Sequence, residues 1–473
     1  MLKTLFLNPP SFNGFDGAAG SRYQCTREVK SFWYPTWLAQ LAALVEGSRL
    51  IDAPARGTSL EEILPLAKDY EFLVMYTSTP SFPNDVKIAE AFKNENPNLV
   101  IGFCGAHVAV NPDQTVTASD AIDFVTGNEF DFTIKEIAEG KALEEVDGII
   151  YKKDGKPVHN KDRALIEDMD TLPPVTPVYK EHLVTTDYYN GYMLHPYMSF
   201  YTGRGCKSHC SFCLWPQTIS GHNYRHKSVG NVIKELTYAR DNFPEIKEFF
   251  FDDDTLTDNI PYVEELAKEI GKLGITWSCN AKANVPYETL KIMKDNGLRL
   301  LLVGYESGNQ QILINIKKGI RTDIARQFTK DCHKLGILIH GTFIVGLPGE
   351  TQETIEESIN YAKELNPQTI QVSLPAAYPG TLLYKQAVEN GWLIVDEDLV
   401  GDDGVQHSVL NYPHLPSEEI FEAVDNFYKR FYFRPWKMAA LFFEMCRDWE
   451  VMKRRAREGV EFFKFLFGRE STA

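Results

Sequence analysis

Three cysteines fall within eight residues: Cys206, Cys210 and Cys213, in the run Gly205-Cys206-Lys207-Ser208-His209-Cys210-Ser211-Phe212-Cys213. Cysteine thiolates hold iron–sulfur clusters, and a four-iron cluster takes four ligands. The C-x3-C-x2-C spacing supplies three, and no fourth cysteine follows nearby. A cluster held in this way keeps one iron open to a substrate or cofactor. Buried apolar thiols, a zinc site and a disulfide set are the competing readings. Zinc sites usually pair C-x2-C units or add histidine, and no second pair is present. The chain's eight cysteines are scattered and no secretory leader is visible, which predicts a reducing compartment and argues against disulfides.

Further polar runs follow apolar stretches along the second half of the chain. Asp252-Asp253-Asp254-Thr255-Leu256-Thr257 follows the first, and read plainly it is a solvated acidic loop. Gly304-Tyr305-Glu306-Ser307-Gly308-Asn309-Gln310 follows another, with Lys317-Lys318-Gly319 shortly after. Gly341-Thr342-Phe343-Ile344-Val345-Gly346-Leu347-Pro348-Gly349-Glu350-Thr351 comes next. Its end serves equally well as an ordinary helix entry with a carboxylate near the N-terminus. Ala377-Tyr378-Pro379-Gly380-Thr381-Leu382-Leu383-Tyr384 closes the series as a structural, substrate-facing segment.

Taken in order, these motifs resemble the radical S-adenosylmethionine (radical SAM) enzymes. The resemblance implies that Cys206, Cys210 and Cys213 carry a 4Fe–4S cluster whose open iron binds the methionine end of S-adenosylmethionine. One electron then splits that cofactor into methionine and a 5′-deoxyadenosyl radical. It also implies roles for single residues. Phe212 lies against the adenine, and Asp252, Asp253 and Asp254 meet the amino group, an ammonium that needs acceptors. Glu306 accepts the ribose hydroxyls, Ser307 supports the methionine end and Lys318 faces the carboxylate. Ile344 and Gly346 let backbone approach the adenine closely. No general acid or base can be assigned from the sequence.

Elements to position these residues are legible in the periodicity. Residues 1–145 alternate strands (Thr4–Leu7, Arg49–Asp52, Phe72–Thr77, Leu99–Cys104, Asp123–Thr126) with helices (Pro35–Glu46, Leu60–Tyr70, Asn84–Asn94, Phe132–Glu139). That alternation predicts an α/β, doubly wound, flavodoxin-like (Rossmann-type) domain with its ligand beyond the C-terminal strand ends. A hairpin turning at Asp154-Gly155 and a proline-broken linker occupy 146–194. From 195 to 391 six further strand–helix units predict a partial, open (β/α)6 barrel rather than a closed eightfold one. Its strands are expected at Met198–Thr202, Glu248–Asp252, Thr276–Asn280, Leu300–Tyr305, Ile337–Val345 and Thr369–Leu374. The cysteine loop follows the first of them, at the face where parallel barrels place their active sites. Residues 392–473 read as helical and aromatic-rich.

A radical SAM barrel behind a flavodoxin-like domain resembles the cobalamin-binding class of that family. The strand-end residues implied to cradle cobalamin are Asn8, Pro9, Ser78, Thr79, Gly105, His107, Gly127 and Glu129. A D-x-H-x-x-G run is missing, so no histidine is expected on the cobalt. A domain kept for its shape without the cofactor is the competing expectation. Three further segments carry a narrower resemblance: Phe6-Leu7-Asn8-Pro9-Pro10-Ser11-Phe12, Ser31-Phe32-Trp33-Tyr34-Pro35-Thr36-Trp37-Leu38 and Tyr432-Phe433-Arg434-Pro435-Trp436. They resemble the hopanoid-biosynthesis radical SAM proteins of the cyclitol ether synthase kind. That implies contraction of the glucosamine ring of bacteriohopanetetrol glucosamine into a cyclitol ether. A cobalamin-dependent radical methyltransferase acting on a lipid or other unreactive carbon is the alternative, and a non-catalytic cobalamin or redox sensor the third.

Partners follow from the same reading. A hopanoid glycolipid is the expected substrate and a flavodoxin or ferredoxin the expected electron donor. The 473-residue chain has a net charge of −16, which disfavours nucleic acid. Hydrophobic and charged contents of 44% and 24% are those of a soluble globular protein, so a cytoplasmic location is expected. Lys453-Arg454-Arg455-Ala456-Arg457 before Phe462-Phe463-Lys464-Phe465-Leu466-Phe467 suits peripheral contact with the inner membrane. The same pattern also suits a cap packed on the barrel.

Overall fold

The computed structural model describes residues 1–10, 16–17, 20, 25, 29–394, 399–400, 406–445, 452–453 and 456–461. Ser11, Phe12, Arg454, Arg455 and Phe462–Phe467 of the sequence reading lie outside them.

The first layer is a seven-stranded sheet in the order β2-β1-β3-β4-β5-β6-β7. Its strands are β1 (Thr4–Asn8), β2 (Arg49–Asp52), β3 (Phe72–Tyr76), β4 (Val100–Cys104), β5 (Phe124–Thr126), β6 (Ile149–Lys153) and β7 (Lys156–His159). The first five pair in parallel, in flavodoxin-like order. Every side chain of β1 and β3 is buried, as parallel strands covered on both faces require.

Two features differ from the sequence reading. The hairpin is not part of a linker: β6 pairs antiparallel with β5 through Val125 and Ile150 and extends the sheet. Its buried Ile149, Ile150 and Tyr151 cover the otherwise open edge of the short β5. The segment expected as one helix over Leu60–Tyr70 is a single turn, Leu60–Ile63, followed by a 3-10 segment, Leu64–Asp69. Pro65 lacks the N–H that a continuing α-helix needs.

The second layer is an open sheet of six parallel strands in the order β15-β14-β13-β12-β11-β8. These are β8 (Tyr197–Phe200), β11 (Glu248–Phe251), β12 (Trp277–Ala281), β13 (Leu298–Glu306), β14 (Leu338–Ile344) and β15 (Thr369–Ser373). Between β8 and β11 a short antiparallel ribbon joins β9 (Gly203–Arg204) to β10 (Arg225–His226). The helix Ser417–Tyr432 closes the β15 edge. There the hydroxyls of Tyr428 and Tyr432 accept from the amides of Val372 and Ile370, at 2.7 and 2.9 Å. An edge left unpaired would be a template for aggregation.

The aromatic run at 31–38 is interdomain packing. Tyr34 stacks on Tyr188 at 4.0 Å and donates to the Tyr197 carbonyl of β8, while Tyr197 donates back to the Phe32 carbonyl. Trp37 meets Trp215 edge-on beside the cysteine loop.

Candidate functional site

The cysteine loop leaves β9 and returns through β10, so the ribbon closes its base. Gly205 has φ +91°, and a Cβ there would lie 2.3 Å from the Asn223 carbonyl oxygen, so only glycine fits this turn. The loop is then bonded from several directions. Ser211 donates its amide to the Ile316 carbonyl at 2.9 Å. The Gln217 amide nitrogen reaches the carbonyls of Cys210 and Cys213, at 3.2 and 2.6 Å. His222 Nδ1 bonds the Ser208 carbonyl at 2.8 Å, and its ring packs against His209. Gln217 and His222 were not found by sequence reasoning. Their partners are backbone carbonyls, which leave no motif.

Cys206, Cys210 and Cys213 are not joined in disulfides, and all three line a cavity of about 330 Å³. Among the described residues no three His, Cys, Asp or Glu side chains are arranged around a single metal ion. Burial pushes the Cys210 thiol above its ordinary pKa, against the pull of the nearby Lys318 ammonium.

Glu306, the last residue of β13, lines the same cavity. Its φ is +61°, a left-handed conformation uncommon for a non-glycine residue, and the register with β14 shifts between Gly304 and Glu306. This local strain turns the carboxylate toward Lys318, whose Nζ donates to Oε1 at 2.6 Å. Burial opposes the Lys318 charge, but the Glu306 carboxylate outweighs it and holds the ammonium pKa above its usual value. Phe212, Asp254, Glu306, Lys318 and Ile344 share the cavity wall with the three cysteines.

Other expected residues stand back from that wall. Asp253 is buried and accepts from the Thr202 hydroxyl at 2.8 Å and from the Gly203 amide. Burial pushes its carboxyl up to about 7. Asp252 accepts from Asn280 Nδ2 at 3.2 Å. Of the three aspartates only Asp254 lines the cavity, and it also accepts from the Gly205 amide at 3.1 Å. Ser307 is buried and bonds Ser358 at 3.0 Å, so it fixes the strand-end turn instead of facing a ligand. Gly346 has φ +98° and packs against Ile420, where a Cβ would come within 2.6 Å of a methyl. Its role is to let the helix Ser417–Tyr432 approach.

The strand ends of the first domain sort in the same way. Glu129 is not presented to a ligand. It is buried and bidentate to Arg225, at 2.8 and 2.9 Å, and accepts the Ile166 amide at 2.8 Å. Beside it Arg204 pairs with Asp131, at 2.7 and 2.9 Å. These ion pairs join the first domain to the ribbon beneath the cysteines. Ser78 donates to the Gly17 carbonyl at 2.6 Å. Gly105 has φ +120°, and a Cβ there would lie 2.5 Å from the Thr77 carbonyl, so the neighbouring strand end, not a ligand, demands this glycine. Pro9 is buried beside Asn8, and Gly127 bonds through its amide to the Gly148 carbonyl at 2.8 Å. Asn8 donates to Asp52 at 2.8 Å, and Thr79 bonds His107 Nδ1 at 3.2 Å. Burial lowers the His107 pKa to about 4, so the ring is neutral near pH 7. Asn8 Oδ1, His107 Nε2 and Thr126 Oγ1 are buried and find no hydrogen-bond partner among the described residues. Asn8 and Thr126 end their strands and His107 lies in the first turn of the helix Ala106–Val110 that follows β4, so a polar cofactor seated there would satisfy them.

The Radical SAM superfamily profile matches residues 200–362, which contain the cysteine loop and β13 with Glu306. An uncharacterized methyltransferase of Pyrococcus horikoshii is 31% identical over 413 residues, covering 85% of this chain and 88% of that protein. The chain therefore belongs to the radical SAM superfamily. Cytidylyl-2-hydroxyethylphosphonate methyltransferase of Streptomyces wedmorensis is 29% identical over 49% of this chain and 45% of its own length. An anaerobic magnesium-protoporphyrin IX monomethyl ester cyclase of Rubrivivax gelatinosus is 24% identical over 81% of this chain and 70% of its own. The fold is shared with the radical SAM methyltransferase TsrM of Kitasatospora setae, solved with cobalamin and a 4Fe–4S cluster. That match has a TM-score of 0.69 at 15% identity over 92% of this chain and 90% of that one. It is shared equally with the cobalamin-dependent radical enzyme OxsB, solved with aqua-cobalamin and S-adenosylmethionine. Here the TM-score is 0.69 at 15% identity, over 98% and 72% of the two chains.

Proposed function

We propose that this protein is a cobalamin-dependent radical SAM methyltransferase acting on an unreactive carbon. The observation that carries the proposal is the shared cavity, which gathers the three cysteines, the Glu306–Lys318 pair, Asp254, Phe212 and Ile344. Cys206, Cys210 and Cys213 would hold the cluster. Glu306, Lys318 and Asp254 would take the ribose, carboxylate and ammonium of S-adenosylmethionine, with Phe212 and Ile344 against its apolar surface. Asn8, Thr79, His107 and Thr126 would meet cobalamin at the strand ends of the first domain. When bound, these groups would supply an electron for cofactor cleavage and a carrier for a methyl group. The protein's own contribution is to orient them: the Gln217 and His222 bonds fix the thiolate loop, and burial keeps His107 neutral.

Methyl transfer is favoured over ring contraction on two grounds. The P. horikoshii and S. wedmorensis relatives are named methyltransferases, and so is TsrM. The run 31–38, which carried much of the likeness to hopanoid proteins, packs the two domains together, and none of its residues lines the cavity. Ring contraction of a hopanoid glycolipid is left without a cavity residue to support it. The R. gelatinosus relative is named a cyclase, so the test must separate methyl transfer from other radical outcomes. Anaerobically reconstituted protein should form 5′-deoxyadenosine from S-adenosylmethionine, and cobalamin loading should add S-adenosylhomocysteine. Formation of 5′-deoxyadenosine alone, whatever the cobalamin content, would reject methyl transfer and leave a radical enzyme of another kind. Lipid profiles of a deletion strain separate a lost methyl group from a lost cyclitol ether.

A further inference from the structure

Four apolar side chains of the helix Pro435–Met445 are exposed: Trp436, Met438, Phe442 and Phe443. Trp436 is 88% exposed and Phe443 67%, and seven residues apart they share one face. Met438, 54% exposed, and Phe442, 62% exposed, lie four apart on another. Phe433, in the turn before the helix, is 45% exposed. Cations do the anchoring. Lys437, 8% exposed, bonds the Pro367 carbonyl through Nζ and lies over the Phe431 ring. Arg434 bonds the Lys363 carbonyl at 3.0 Å and Asn366 Oδ1 at 2.9 Å. Water-facing helices normally bury their aromatics and expose their lysines. A single exposed apolar side chain is ordinary, but five within eleven residues form a patch that marks an interaction surface.

The amino-acid composition of this end of the chain names the occupant. Residues 434–473 hold nine Lys and Arg against six Asp and Glu, a net of +3 on a chain of −16. Trp449, Phe462, Phe463, Phe465 and Phe467 lie in the same stretch. The chain returns to the body afterwards: Glu458 accepts from the Tyr189 hydroxyl at 2.7 Å and Glu461 from the Lys30 amide at 3.0 Å. Aromatic side chains at headgroup depth with basic residues beside them are the composition of a segment lying on an anionic bilayer. Among the described residues no helix is long and apolar enough to cross a membrane, so the contact is with the surface.

We propose that the helix Pro435–Met445 docks the protein on an anionic lipid surface, with Trp436 and Phe443 entering the headgroup layer. The inference is independent of the reaction the cavity performs. It is tested by flotation of the full chain with vesicles of phosphatidylglycerol and phosphatidylcholine, against vesicles of phosphatidylcholine alone. The intact protein should float with the anionic vesicles and be released by salt. The double variant W436S/F443S should lose about tenfold in affinity, the equivalent of about 1.4 kcal/mol, while its melting temperature and elution volume stay unchanged. Equal flotation of the double variant, or none of the intact protein, overturns the proposal. A change from dimer to monomer in the variant also overturns it and assigns the face to a second copy of the chain.

Discussion

Glu129→Gln tests whether the buried ion pairs hold the two domains together. Glu129 and Asp131 from the first domain face Arg204 and Arg225 from the ribbon, two negative charges against two positive. All four side chains are buried, and Arg204 also lies 3.5 Å from Glu129. Replacing Glu129 with its amide leaves one arginine charge uncompensated in the interior. Breaking such a pair from one side costs about 3–5 kcal/mol. Arg225 keeps the Ile166 and Ser220 carbonyls as acceptors, so the low end, about 3 kcal/mol, is expected. Removing both partners in E129Q/R225M should cost no more than E129Q alone, which gives a large coupling energy in the cycle. Urea denaturation of anaerobically prepared protein reads this as a shift in midpoint at constant slope. A loss below about 1 kcal/mol for E129Q, or a double-variant cost equal to the sum of the singles, refutes the latch. Were Glu129 a cobalamin contact instead, E129Q would weaken cobalamin retention and leave the midpoint in place.

Single Cys→Ala changes at 206, 210 or 213 should each abolish stable cluster assembly by iron analysis. Changes at the buried Cys279 and Cys332, neither of which lines the cavity, should leave iron content intact. Glu306→Gln should weaken S-adenosylmethionine binding at unchanged iron content, because the amide has one acceptor oxygen where the carboxylate has two; equilibrium binding checks it, and unchanged affinity rejects the role. Stability should fall as pH rises from about 4 to about 7, because burial raises the carboxyls of both Asp85 and Glu350 to about 7 in the fold. Groups with raised folded pKa values stabilise fully below their unfolded values and lose that contribution as pH climbs through the folded ones. Glu350→Gln should remove about 3 kcal/mol of this dependence, measured as the difference in unfolding free energy between pH 4 and pH 8; an unchanged difference counts against it.

The strands were legible because their apolar runs are short and regularly spaced, and β11 and β14 stand within a few residues of where periodicity places them. The cysteine loop was legible because thiolate chemistry imposes its own spacing. The assignments that moved share one cause: partners distant in sequence. Glu129 meets Arg225 across 96 positions, and Asp253 meets Thr202 and Ser307 meets Ser358 across 51 each. No local pattern separates a carboxylate already bonded in the fold from one turned to a ligand. The hairpin moved for a related reason. Asp154-Gly155 announces its turn, but nothing local says that β5 lacks a neighbour on that side.

The same distinction explains how one acidic chain can build a site for groups that carry opposite charges. Carboxylates such as Glu129, Asp131 and Asp253 spend their acceptors on arginines, hydroxyls and backbone amides around the base of the cysteine loop. They fix the loop in place and leave few negative groups facing the thiols, where negative charge would oppose thiolate formation. In the cavity itself Glu306 is matched by Lys318, so its carboxylate is held ready without exposing an unpaired charge to the cysteine wall. A ligand that offers hydroxyls to Glu306 and a carboxylate to Lys318 replaces one ion pair with two charge-assisted contacts. Such an exchange selects a ligand that carries both groups at the spacing of the pair. A ligand with only one of them would leave the other partner buried and unpaired, and that penalty is the physical basis of selectivity at this wall.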